Sequence, residues 1–183
     1  MKKKLNSIIK NQFDTVSPWI KNNLCRDQKR NKILLDIASG NGRHSLFASS
    51  LGYQVISADL KLEKLYIVKN NNQNLTINID FETKFNWPFK DNIFDVIIVT
   101  NYLHRALFKN IFNGLKKNGI LIYETFSIEN IQFGKPKNPD FLLKPQELLQ
   151  LARKYHMKII TYEELITNFP KNKAVQRICT KKL

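Results

Sequence analysis

The stretch KILLDIASGNGRHSLF, residues 32–47, decides the fold because it joins a buried strand to a helix through a glycine turn. Residues 32–38 form a continuous apolar run, which is typical of a strand covered on both faces in a parallel sheet. Gly40 and Gly42 allow a tight turn with no Cβ to keep a ligand away, and the helix that begins near Arg43 presents free backbone N–H groups. This strand–turn–helix unit predicts an α/β domain that binds a ligand at the carboxyl ends of its strands.

The same alternation of strands and helices continues along the chain. The predicted helices cover residues 43–51, 61–69, 101–117 and 145–155, and the predicted strands cover 32–38, 53–59, 75–80, 94–100, 119–126, 157–166 and 174–180. Asn118-Gly119 is a typical helix end. The last two strands are joined by FPKNK, which is too short for a crossover helix, so they must pair antiparallel. The sequence therefore predicts an α/β fold: a doubly wound, mostly parallel seven-stranded sheet with helices on both faces and an antiparallel C-terminal hairpin.

One domain is expected at residues 31–183, preceded by a helical lead-in at residues 1–30 that packs on it. In the lead-in, apolar side chains recur at helical spacing up to Phe13, and Ser17-Pro18 is a typical start of a second short helix. No apolar run approaches the ~18–20 residues that cross a bilayer. We therefore expect a cytoplasmic protein without membrane contact, whose two cysteines are too few for a disulfide framework.

The chain is strongly basic, with 30 Lys plus Arg against 15 Asp plus Glu and a formal net charge of +15. It contains 24 Lys but only 6 Arg, together with 21 Asn and 21 Ile, and all three abundant residues have A/T-rich codons. A nucleic-acid surface favours clustered charge and arginine, which binds phosphate in a bidentate manner. Two interpretations of the charge stay open: drift in composition, or a surface selected for RNA or another polyanion.

Acidic residues end three successive strands of the predicted sheet. Asp36 is costly at the end of an apolar strand unless it accepts hydrogen bonds from the loop or from a cationic ligand. Asp59 can accept from both hydroxyls of a ribose, and Asp80 beside Phe81 suits the amino group and ring of adenine. Three acids would repel a pyrophosphate but not a sulfonium cation. An NAD site is the competing hypothesis, but Ser45 stands where its third glycine is required. Loop capping is the structural alternative for each acid.

The motifs DIASGNGRHSLF and FDVIIVTNYLH resemble those of class I S-adenosylmethionine-dependent methyltransferases, with Ser39 where cysteine is common. The resemblance covers roughly residues 31–183 and is closest to small single-domain bacterial enzymes related to the tellurite-resistance methyltransferases. It implies a Rossmann-like methyltransferase fold, an enzyme, and S-adenosylmethionine as the cofactor.

The resemblance also implies a set of cofactor contacts and no metal site. Gly40 and Gly42 would approach the methionine part, Asp59 the ribose, Asp80 and Phe81 the adenine, Arg43 the carboxylate and Asp36 the amino group. The remaining positions that the resemblance places at the cofactor are Ala38, Ser39, Leu60 and Thr100.

The acceptor side is predicted from the segment that follows the fourth strand. Tyr102, His104 and Arg105 would open the helix there and face the transferring methyl group, with His104 as a general base or as a packed surface histidine. Glu124 ends the predicted fifth strand and either orients an acceptor or has a structural role, in which it caps a helix or binds a loop. Residues 127–144 are long for a structureless loop, which favours a semi-rigid flap over the site or a spacer.

These features predict methyl transfer to a small-molecule acceptor by in-line displacement, in a monomer or weak homodimer. A methyltransferase that acts on RNA through the basic surface is the alternative. The sequence has no NPPY-type tetrapeptide after the fourth strand and no paired cysteines for attack on cytosine. Alignment and desolvation supply most of the catalysis of such a transfer, so a strong base need not be visible.

Overall fold

The structure is a computed structural model that describes residues 15–28, 31–69, 74–83 and 87–183. The first predicted helix of the lead-in and the predicted domain boundary at residue 30 lie outside these residues, so both stay predictions. The described helices and strands are α1 (Pro18–Asn23), β1 (Ile33–Ile37), α2 (Arg43–Ser50), β2 (Gln54–Asp59), α3 (Leu62–Lys69), β3 (Asn74–Asn78), β4 (Phe94–Thr100), α4 (Phe108–Gly114), β5 (Leu115–Phe126), α5 (Glu147–Lys154), β6 (Met157–Thr167) and β7 (Lys173–Lys182).

The described strands form a seven-stranded, mostly parallel sheet, as the sequence predicted. The chain divides into two compact units, one ending at Ile79 and one beginning at Asp80, and each is described by itself below. No helix in the described ranges is long and apolar enough to cross a membrane.

In the N-terminal unit the strands are ordered β3-β2-β1 and all run parallel. Leu34, Leu35 and Ile37 of β1 are buried, as expected for a strand that is covered on both faces. Helix α1 begins at Pro18 as predicted, where the Ser17 hydroxyl accepts the Trp19 N–H (3.2 Å). The Ser17 N–H in turn donates to Nε2 of the buried His44 at 3.3 Å, so this histidine anchors the end of the lead-in.

In the C-terminal unit the strands are ordered β4-β5-β7-β6, with β4 and β5 parallel and both later pairs antiparallel. The predicted C-terminal hairpin is therefore confirmed. Tyr123 is the largest fully buried side chain of β5, and its hydroxyl donates to the Tyr102 carbonyl at 2.8 Å. This bond ties the loop after β4 to the neighbouring strand.

The helix predicted at residues 101–117 is wrong at both ends. Asn101 adopts a left-handed conformation (φ 52°), and the chain stays irregular up to a 3-10 helix at Arg105–Leu107, which leads into α4. Helix α4 ends at Gly114, and Asn118-Gly119 lies inside β5 instead of ending a helix. A Cβ at position 119 would lie 2.8 Å from the Lys116 carbonyl oxygen, so the glycine serves this close backbone approach.

The segment of residues 127–144 contains its own structure. It includes 3-10 helices at Ile128–Phe133 and Pro139–Phe141, and its two ends meet in an isolated bridge between Ser127 and Leu143. Leu142 and Leu143 are buried, which anchors the segment in the unit.

Candidate cofactor and acceptor sites

The glycine turn after β1 is held in a conformation that few side chains tolerate. Ala38, Gly40 and Gly42 all have positive φ angles, of 53°, 56° and 74°. A Cβ added to Gly42 would overlap the Val68 side chain, whereas a Cβ at Gly40 would meet nothing within 4 Å. The Ser39 N–H donates to the Ala58 carbonyl at 3.0 Å, which fixes the turn to β2. Gly42 is thus required for packing, and Gly40 leaves open space beside the backbone.

Asp59, at the end of β2, holds the same turn from the other side. Its Oδ2 accepts the Gly40 N–H at 2.7 Å, and its Oδ1 accepts the Lys61 N–H at 2.9 Å. Each carboxylate oxygen has further acceptor capacity, so two ligand hydroxyls can still bind there. The next residue, Leu60, has 59% of its surface exposed and presents an apolar side chain next to this carboxylate.

Asp36 lies in β1 with its side chain fully buried. Burial raises the pKa of Asp36 to about 7, and this effect outweighs the lowering by the Ser45 hydroxyl, which donates to Oδ2 at 2.6 Å, and by the Arg43 charge. Oδ1 has no hydrogen-bond partner among the residues that the structure describes. The carboxyl group therefore keeps an unused acceptor in a site of low dielectric constant.

Asp80 and Phe81 begin the C-terminal unit, and both side chains contact residues of the same unit. Asp80 Oδ1 accepts the Glu82 N–H at 2.9 Å. The Phe81 ring is 5% exposed and packs against Trp87, with 6.0 Å between the ring centroids. The aromatic face that the sequence predicts for adenine is therefore largely buried.

The loop after β4 presents the predicted acceptor residues, with Thr100 buried at the strand end. Tyr102 and His104 are both half-buried, and His104 directly precedes the 3-10 helix instead of lying within a helix. Burial, followed by the charges of Glu82 and Asp80, raises the pKa of Tyr102 well above its usual range. The phenol therefore keeps its proton near neutral pH and can only donate or accept a hydrogen bond as a neutral group.

Arg105 points to a different partner from the one predicted. Its guanidinium binds Glu147 through Nε at 2.7 Å and Nη2 at 2.9 Å, and it also donates to the carbonyls of Asp140 at 2.8 Å and Leu142 at 2.9 Å. It fastens residues 140–147 to the loop after β4 and uses four of its five N–H donors to do so. Sequence reasoning missed Glu147, because 42 residues separate the two partners.

Glu124 is buried within β5, which continues to Phe126, so this residue does not end the strand. Its carboxylate binds Lys173 at 2.9 Å and Arg177 at 3.5 Å, both from β7. These ion pairs between two strands differ both from the predicted acceptor contact and from the predicted structural alternative. Neither basic partner carried a sequence signal, because the pairing depends on strand register.

Comparison with known proteins relates part of the chain to methyltransferases. Residues 35–123 match a family model described as a methyltransferase domain. This match spans just under half of the 183 residues. Together with the sheet topology described above, it supports the predicted resemblance to class I S-adenosylmethionine-dependent methyltransferases. No curated protein matches the chain in sequence.

Solved methyltransferase structures share the fold of this enzyme at low sequence identity. A methyltransferase from Methanosarcina mazei is 19% identical, with a TM-score of 0.66 over 92% of this chain and 98% of that one. One from Listeria monocytogenes is 15% identical, with a TM-score of 0.71 over 90% and 96%. One from Aquifex aeolicus is 13% identical, with a TM-score of 0.69 over 99% and 98%. The narrower similarity to tellurite-resistance enzymes stays a prediction.

Proposed function

We propose that this methyltransferase transfers the methyl group to a small-molecule acceptor, by in-line displacement at the sulfonium methyl carbon. The observation that carries the proposal is the arrangement around Arg105. One guanidinium makes four hydrogen bonds that fasten residues 140–147 to the loop carrying Tyr102 and His104. A segment of the chain itself therefore borders the proposed acceptor loop, which favours a small acceptor over a long polymer.

In the N-terminal unit, we assign the glycine turn to the methionine part of the cofactor. Ala38, Ser39, Gly40 and Gly42 give close backbone approach, and Arg43 is the proposed partner of the carboxylate. Asp36 is the proposed partner of the amino group, because its buried Oδ1 is an unused acceptor.

At the end of β2, we assign Asp59 to the ribose hydroxyls and exposed Leu60 to the adenine ring. Asp59 suits this role because its backbone bonds fix the carboxylate in advance, so less entropy is lost on binding. In the C-terminal unit, the assignments of Asp80 and Phe81 to adenine and of Thr100 to the cofactor rest on the family resemblance alone.

For the acceptor, we propose His104 as the general base and Tyr102 as a neutral hydrogen-bond donor. The Tyr102 phenol keeps its proton, and a hydrogen bond with Glu82 contributes to its raised pKa, so donation to an acceptor would require exchange of this partner. We withdraw Glu124 from the acceptor site, because Lys173 and Arg177 neutralise its carboxylate. The remaining catalysis comes from alignment of the acceptor atom with the methyl group and from exclusion of water.

RNA is the second candidate acceptor, and exposed lysines favour it. Lys135, Lys137 and Lys144 are exposed in the segment of residues 127–144. Against RNA, Lys116 and Lys117 lie at the amino end of β5, and Lys116 pairs with Asp95 at 2.7 Å. Ligands in such sheets bind at the carboxyl ends of the strands, so that lysine pair is badly placed for an RNA acceptor.

The test is transfer of labelled methyl from S-adenosylmethionine to a cell extract that is then sorted into small-molecule, RNA and protein pools. The proposal predicts that label enters the small-molecule pool. Asp59→Ala, which removes the proposed ribose acceptor, should abolish this labelling, and Lys117→Ala at the amino end of β5 should leave it unchanged. Label that enters RNA and is released by ribonuclease would refute the small-molecule proposal.

A further inference from the structure

Three buried side chains from neighbouring elements form a hydrogen-bonded chain beneath the glycine turn. The Ser57 hydroxyl of β2 donates to the Ser45 hydroxyl of α2 at 2.7 Å, and Ser45 donates to Asp36 Oδ2 of β1 at 2.6 Å. Asp36 and Ser57 are direct partners in the pairing of β1 with β2. All three side chains are completely inaccessible to solvent, so no water competes for these bonds.

The hydrogen bonds run from Ser57 through Ser45 to Oδ2 of Asp36, and the other oxygen of this carboxyl group lacks a partner among the described residues. Because Ser45 donates to Oδ2, a proton on the Asp36 carboxyl group belongs on Oδ1, which has no hydrogen-bond partner in the described parts of the protein. In ionised Asp36, the same Oδ1 is a bare acceptor that is costly to bury without a cationic donor. The carboxyl group can therefore either hold a proton or receive a ligand's N–H, but not both at one oxygen.

The surroundings of Asp36 place the change between its protonated and ionised forms near neutral pH. Burial, with a smaller contribution from the Asp59 charge, raises the pKa of Asp36 to about 7, against the lowering by the Ser45 hydrogen bonds and the Arg43 charge. His44, the other titratable group of α2 next to Arg43, accepts the Ser17 N–H through its ring Nε2.

We propose that Ser45 and Ser57 are positioning residues that hold the Asp36 carboxyl group ready to exchange its proton for the cationic amino group of the cofactor. This inference rests on the proposed assignment of Asp36. Below the pKa of Asp36, cofactor binding must expel a proton from the protein; above it, binding proceeds without proton release. Ser45 favours the ionised form by donating to it, and Ser57 polarises the Ser45 hydroxyl so that it donates more strongly.

The test measures the affinity for S-adenosylhomocysteine by calorimetry between pH 6 and pH 9, in buffers of different ionisation enthalpy. For a carboxyl pKa near 7, the wild-type affinity should rise about ten-fold from pH 6 to pH 8, with release of about three-quarters of a proton at pH 6.5. Ser45→Ala should move this rise to higher pH. For a pKa about one unit higher, the affinity at pH 7 is about five-fold weaker, and the deficit disappears by pH 9.

The variants separate a positioning role from a packing role. Ser57→Ala should also move the rise in affinity to higher pH, but by less than Ser45→Ala does. Asp36→Asn should remove the part of the pH dependence that comes from the carboxyl group. Ser50→Ala is the matched control, because this exposed serine of α2 donates only to the Phe47 carbonyl, and its profile should equal that of the wild type.

Equal weakening of Ser45→Ala at every pH, or a flat wild-type profile, would overturn the inference. A Ser57→Ala profile identical to that of the wild type would remove Ser57 from it. Absence of S-adenosylhomocysteine binding by the wild type at any pH would instead overturn the proposed cofactor site.

Discussion

The two glycines of the turn should separate stability from cofactor binding when each is replaced by alanine. Both residues have positive φ angles, so each substitution costs about 1–2 kcal/mol of backbone strain. Gly42→Ala additionally drives its Cβ into the fully buried Val68, and such overpacking typically costs about 1–3 kcal/mol. Gly40→Ala meets no protein atom within 4 Å, so it carries the strain alone.

The expected loss of unfolding free energy is therefore about 2–5 kcal/mol for Gly42→Ala and about 1–2 kcal/mol for Gly40→Ala. For ligand binding, the order of the two variants should be the opposite: among folded molecules, Gly40→Ala should weaken binding more than Gly42→Ala. The Gly40 methyl group enters the open space where the cofactor's methionine part is proposed, so Gly40→Ala should weaken S-adenosylhomocysteine binding by at least about ten-fold. The strain cost of Gly40→Ala changes stability but does not depend on the ligand.

Urea unfolding measures the first quantity, and calorimetry at a temperature where both variants are folded measures the second. A double-mutant cycle adds Val68→Ala, which removes the methyl group that the Gly42→Ala side chain overlaps. The overlap predicts favourable coupling of at least about 1 kcal/mol between the substitutions at positions 42 and 68, and none between those at positions 40 and 68. Unchanged affinity in Gly40→Ala, or additive effects at positions 42 and 68, would refute this reasoning.

Three other substitutions test single contacts. Asp59→Ala should weaken S-adenosylhomocysteine binding by at least about 1–2 kcal/mol through loss of charge-assisted hydrogen bonds, and calorimetry showing unaltered affinity would reject the ribose assignment. Lys173→Met should lower the unfolding free energy by about 3–5 kcal/mol, because the buried Glu124 loses a partner. Adding Glu124→Gln should restore part of the lost unfolding free energy, as measured by urea unfolding. A double variant no more stable than Lys173→Met would contradict the pairing. His104→Ala should slow methyl transfer by about 10²-fold or more at equal cofactor affinity, whereas an unaltered rate would return His104 to a packing role.

Local pattern was sufficient to predict the elements around the glycine turn. The apolar run of β1 and the helix after Gly42 lie where the sequence places them, because binary pattern and glycine positions agree over one short stretch. The final hairpin was predictable for a similar reason, since a five-residue connection leaves no alternative to antiparallel pairing.

The failed predictions depend on contacts that are distant in sequence. The helix at residues 101–117 was predicted from its C-cap signal, but Gly114 lies where a Cβ would come within 3.1 Å of the Trp87 ring, and the chain turns into β5 there. The partners of Arg105 and Glu124 lie between 35 and 53 residues away. Such pairs are fixed by strand register and loop packing, which a single sequence does not encode locally.

The most direct test of the central claim is a crystal structure of the enzyme with S-adenosylhomocysteine. The account predicts that both ribose hydroxyls donate to Asp59 and that the ligand's amino group lies within hydrogen-bond distance of Asp36 Oδ1. A ligand bound away from the turn at Gly40, or an Asp59 carboxylate that contacts only backbone N–H groups in the complex, would contradict it.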